Sequence, residues 1–153
     1  MISTIPTVGP ACNCNPSIEK PICPTSDYLK KMTTFDQVDS FLEGRDGSPF
    51  GGFDAIPDLA NKDGVQWRLV RARNAELIDG KYVVKKIDGK VCNTTILLKS
   101  IVNKVNEVLG SQGISLTQSE GYRPVVIVSP EDVNPGLLAR VEGLVAKLNT
   151  YSR

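Results

Sequence analysis

A chain of 153 residues, 41% hydrophobic and 23% charged, has the make-up of one ordinary globular domain, which excludes a fibrous or wholly disordered protein. Its 18 basic and 17 acidic residues leave a formal charge of +1, which removes any long-range electrostatic pull toward nucleic acid or an anionic membrane. No run approaches the roughly 18 apolar residues of a membrane helix, and Met1-Ile2-Ser3-Thr4-Ile5-Pro6 has neither the basic start nor the apolar stretch of a secretory signal. The expectation is cytoplasmic synthesis without a secretion signal, with the virion of a virus as a further destination.

Residues 1–33 read as an extended Pro- and Cys-rich arm. Pro6, Pro10, Pro16, Pro21 and Pro24 remove backbone donors and push the preceding residues out of the helical region. Ile2, Ile5, Val8, Ile18 and Ile22 are spaced singly, with neither helical nor strand period, so this segment cannot build a core of its own. They are the expected partner-binding residues of an arm laid on another surface.

Residues 34–153 read as a compact α+β domain. Thr34 and Gln37 form a capping box, Phe35, Val38, Phe41 and Leu42 share one helical face, and Gly44 stands where a left-handed cap belongs, so a helix is predicted over 35–43. The Gly, Pro and Asp content of 44–64 predicts a long surface loop. Alternation over 65–73 predicts a strand with Trp67, Leu69 and Arg71 on one side and Arg68 and Val70 on the other. Asp79-Gly80 and Asp88-Gly89, each between β-prone runs, are hairpin signals, and together they predict an antiparallel meander over about 65–95.

Thr94 or Thr95 is read as the cap of a helix carrying Leu97, Leu98, Ile101, Val102, Val105, Val108 and Leu109, closed by Gly110. A strand is expected over 114–117. The continuous apolar run Val125-Val126-Ile127-Val128 predicts a central, fully buried strand. Asn134-Pro135 opens the last helix, whose Leu137, Val141, Leu144, Leu148 and Tyr151 recur at 4-3-4-3 spacing. That seam covers the domain's own sheet or, in the sharper alternative, joins subunits.

Chemistry is thinly represented. The absence of histidine excludes Ser-His-Asp and Cys-His catalysis. Cys12, Cys14, Cys23 and Cys92 could in principle make a four-thiolate metal site, but one C-x-C and two isolated cysteines do not match the paired spacing of structural zinc sites. No metal and no cofactor are expected. Glu131 and Asp132 precede the last helix, where its positive end explains acidic residues without invoking a site. No glycine-rich phosphate motif is present. Arg68, Arg71 and Arg73 beside Trp67 could grip a single strand of nucleic acid, a reading the neutral net charge opposes.

The function expected from this pattern is structural. The chain reads as an accessory or connector component of a large particle, such as a phage virion, docking through its arm onto other subunits and pairing with copies of itself. The alternative is a cytoplasmic adaptor or regulatory protein-binding module. A small enzyme using Cys, Asp, Lys or Tyr ranks third and requires an enclosed pocket lined by Cys23 or Cys92 together with Lys and Asp.

Overall fold

The computed structural model describes residues 23–87, 89–119, 123–129 and 133–151. The five arm residues Ile2, Ile5, Val8, Ile18 and Ile22, with Cys12, Cys14, Glu131 and Asp132, lie outside them. The fold is α+β: among the described residues, three small sheets pack with four helices around one contiguous core.

The chain enters at β1 (Cys23–Pro24) and turns at once into α1 (Thr25–Lys30). Next comes α2 (Phe35–Glu43), with both halves of the capping box formed. The Thr34 side chain accepts from the Gln37 N–H at 3.1 Å, and Gln37 Oε1 accepts from the Thr34 N–H at 3.0 Å. Gly44 ends the helix at φ 82°, and a Cβ there would stand 2.7 Å from the Gly51 carbonyl carbon, so both conformation and space demand glycine.

Residues 44–52 form the loop expected there, but the rest of the 44–64 segment is strand. β2 (Phe53–Lys62) pairs antiparallel with β3 (Val65–Ala72). Asp63 and Gly64, at φ 56° and 79°, make the two-residue turn between them, the same Asp-Gly signal that marks the later hairpins. Pro57, which cannot donate to a ladder, falls where the register slips between Ile56 and Leu59, and Arg68 Nη1 donates to the Pro57 carbonyl at 2.8 Å there. The bulge absorbs the proline that made the segment read as loop.

The expected meander is divided between two sheets. β4 (Glu76–Ile78), β5 (Lys81–Ile87) and β6 (Lys90–Asn93) form it, and β1 adds to β6 in parallel. β3 instead lies between β2 and β7 (Ile96–Leu97). The chain crosses between the sheets at Thr94. Its N–H donates to the Tyr82 carbonyl at 2.8 Å, and its hydroxyl accepts from the Ala72 N–H at 3.2 Å. Fully buried and turned inward, Thr94 is a sheet-to-sheet joint rather than a helix cap, and α3 (Leu98–Leu109) begins only after β7. A short 3₁₀ turn, Gly110–Gln112, prolongs α3, and the left-handed Gly113 follows that turn.

β8 (Ile114–Ser119) and β9 (Arg123–Val128) form a two-stranded sheet. Val125–Val128 is therefore an edge strand rather than a central one, with Ile127 50% and Val128 41% exposed. Only one face of β9 meets the core, through Pro124 and Val126. The Asn106 side chain donates to the Leu116 carbonyl and accepts from its N–H, at 2.9 and 2.6 Å, and so occupies the outer edge of β8. α4 (Pro135–Thr150) closes the fold, capped by Asn134.

An aromatic cluster lies at the centre of the core. Phe41 is fully buried, with ring centroids 4.8 Å from Phe53 and 5.4 Å from both Phe50 and Tyr28. Tyr151, just past α4, donates its hydroxyl to the Phe53 carbonyl at 2.9 Å. Burial raises the pKa of this phenol.

Two outcomes are expected. Tyr151→Phe lowers stability by about 1 kcal/mol at neutral pH, measured by urea denaturation. The folded wild type keeps this phenol protonated where the unfolded chain would release its proton, so its contribution is whole below about pH 10 and declines as pH rises further; the variant lacks that alkaline component. Lys104 is 6% exposed, and its Nζ donates to the carbonyls of Lys30 and Met32 at 3.1 and 3.0 Å. Lys104→Met leaves the buried Met32 carbonyl and the part-buried Lys30 carbonyl without that donor and costs about 1–3 kcal/mol in the same measurement.

Candidate functional site

The site the structure offers is the root of the arm. Pro24 holds Cys23 in the extended region, and that extension lets β1 lie beside β6, with Cys23 aligned to Cys92 and Pro24 to Asn93. β1 is the outermost strand of its sheet, where a residue without an N–H is tolerated. The Thr25 hydroxyl donates to the Asn93 carbonyl at 2.7 Å. Thr25, Leu29 and Met32 are buried, and Lys104 holds the carbonyls at the end of α1. Residues 23–33 thus contribute Thr25, Leu29 and Met32 to the core. Thr25, Leu29 and Met32 recur at 4-3 spacing, a helical signal present in the sequence but masked by its prolines.

Beside the root lies a cleft of about 470 Å³, bordered by Cys23, Asp27, Tyr28, Lys31, Gln37 and Lys90, among others. It brings a cysteine together with lysines and aspartates, a combination that sequence reasoning reserved for an enzyme. Its charged and amide walls, Asp27, Lys31, Gln37 and Lys90, are all exposed, so it is an open groove rather than an enclosed pocket. Gln37 is engaged in the capping box, and Asp27 pairs with Lys30 at 3.5 Å. Among the described residues, no three of Cys, Asp and Glu are grouped closely enough to hold a metal ion.

The arginine row turns onto the chain itself. Arg68 bonds the bulge carbonyls of Ile56 and Pro57. Arg71 donates to the carbonyls of Ala72 and Arg73 and lies over the Tyr82 ring at 5.3 Å. Arg73 pairs with Asp54 at 3.0 Å. Trp67 is 6% exposed and offers no open ring for stacking a base.

The seam of α4 is core. Val141, Leu144, Leu148 and Tyr151 are buried within the chain, and Leu137 packs at their margin. These side chains are engaged in the chain's own core, with α4 packed on β9. On its flank Arg140 pairs with Asp36 and lies over Phe35, and Lys147 pairs with Glu43. No described helix is long and apolar enough to cross a membrane. Comparison with protein-family models, curated proteins and solved structures finds no match to this chain.

If the seam is core, Leu144→Ala should lower unfolding stability by about 2–5 kcal/mol. The loss should be the same at low and high protein concentration in urea titrations. A concentration-dependent loss would restore the subunit contact.

Proposed function

We propose that this chain is a structural assembly protein that docks onto other subunits through its N-terminal arm, as an accessory or connector component of a large particle such as a virion. The observation that carries this reading is the anchored root. β1 and α1 are built into the sheet and the core, so the chain at Cys23 is held at a fixed point on the body. Fully extended, the 22 residues ahead of Cys23 could reach about 70 Å. Their apolar side chains lack the period that would seat them on a helix or strand of their own, which suits a surface supplied by a neighbour. The exposed Ile127 and Val128 on edge strand β9, with Leu77 on β4, add apolar surface of the kind that receives partners.

The test compares the full chain with residues 23–153, by light scattering and by cross-linking mass spectrometry through the amines of Met1 and Lys20. The full chain is expected to form multi-copy species with cross-links from the arm to a second copy. The truncated chain should be a monomer with its thermal transition retained. Loss of that transition would make the arm part of the core. A monomeric full chain whose arm cross-links only to its own body would remove the reading and leave the adaptor alternative, with the cleft beside α1 as its groove.

A further inference from the structure

We propose that Cys23 and Cys92 form a dithiol–disulfide pair that covalently fastens β1, the root of the arm, to its neighbouring inner strand β6 under oxidising conditions. The two residues are direct partners in the parallel pairing of β1 with β6. Aligned residues of neighbouring strands send their side chains to the same face of a sheet, with the strands about 4.8 Å apart. That spacing falls within the Cα separation of about 4.4–6.8 Å that a disulfide spans. Neither cysteine is in a disulfide in this structure.

The two thiols differ in access, and this orders the chemistry. Cys23 is half-buried and borders the open cleft, where an oxidant can reach it. Cys92 is fully buried and does not border the cleft. A small disulfide such as oxidised glutathione therefore meets Cys23 first. The Cys23 thiolate attacks one of its sulfurs and releases one glutathione thiolate. The Cys92 thiolate then attacks the Cys23 sulfur of the mixed disulfide and releases the second. Two protein thiols are oxidised, one small disulfide is reduced to two thiols, and the two protons pass to the leaving glutathiones. The new bond closes the chain from β1 to β6 and blocks β1 from peeling off its edge position, since unpairing the strand no longer separates the two.

The experiment treats native full-length protein with oxidised glutathione, alkylates the remaining thiols and maps tryptic peptides. Lys20 precedes Pro21, so trypsin leaves Cys12, Cys14 and Cys23 in one peptide. A Cys12→Ser, Cys14→Ser double variant isolates Cys23. Both proteins are expected to give a peptide joining Cys23 to Cys92, and the oxidised double variant should show a higher urea midpoint than its reduced form. Cys92→Ala should stop at glutathione held on Cys23. Should that variant fail to fold, the map of the double variant decides alone. The proposal is overturned if the double variant yields both thiols alkylated, if it retains glutathione on Cys23 while Cys92 is present, or if wild type joins Cys23 only to Cys12 or Cys14.

Discussion

Contact between Phe41 and the three rings around it is the interaction on which the rest of the fold depends. Tyr28 comes from α1, Phe41 from α2, Phe50 from the glycine-rich loop and Phe53 from β2, so one cluster ties four consecutive pieces of chain to one point. Aromatic rings bury more apolar area than other side chains, and their tilted and edge-on contacts add to that burial. None of these four pieces is stable alone: α1 has six residues, and the loop has no regular hydrogen bonding of its own. Tyr151 brings the far end of the chain to the same place through the Phe53 carbonyl.

The small sheets need joints, because short strands leave backbone groups to be satisfied where one sheet passes into the next. Thr94 is the joint between the two larger ones. A buried hydroxyl that both donates and accepts can satisfy backbone groups of β5 and β3 together, and a valine of the same shape could not. Asn106 serves the β8 edge in the same way. An amide side chain presents one donor and one acceptor, the pair that a neighbouring strand would offer. Both devices satisfy backbone groups with side chains where the short strands run out.

The assembly reading grows out of the same economy of structure. A body this small leaves little interior for an enclosed site, and its cleft is walled by exposed charged side chains. What it presents instead is a fixed point at Cys23–Pro24, held by a pairing only two residues long. So short a ladder is weak on its own, which is why the Thr25 hydroxyl, the buried Leu29 and Met32, and the ammonium of Lys104 all converge on the same few residues.

The sequence by itself determined the features whose cause is local. The capping box at Thr34 and Gln37, the left-handed Gly44, the Asp79-Gly80 turn, the apolar stripe of α3 and the Asn134-Pro135 start of α4 each depend on residues within one turn of each other, and each is found in the structure. Tertiary structure decided which strands are neighbours. Pro57 reads as loop until β3 is beside it to accommodate a bulge, and Thr94 reads as a cap until two sheets converge on its hydroxyl. Val125-Val126-Ile127-Val128 reads as central, yet an apolar run does not say how many strands flank it, and among the described residues β8 alone does. The candidate site was illegible for the same reason. Cys23 and Cys92 are far apart in the chain and are brought into register only by a parallel pairing that no local pattern encodes.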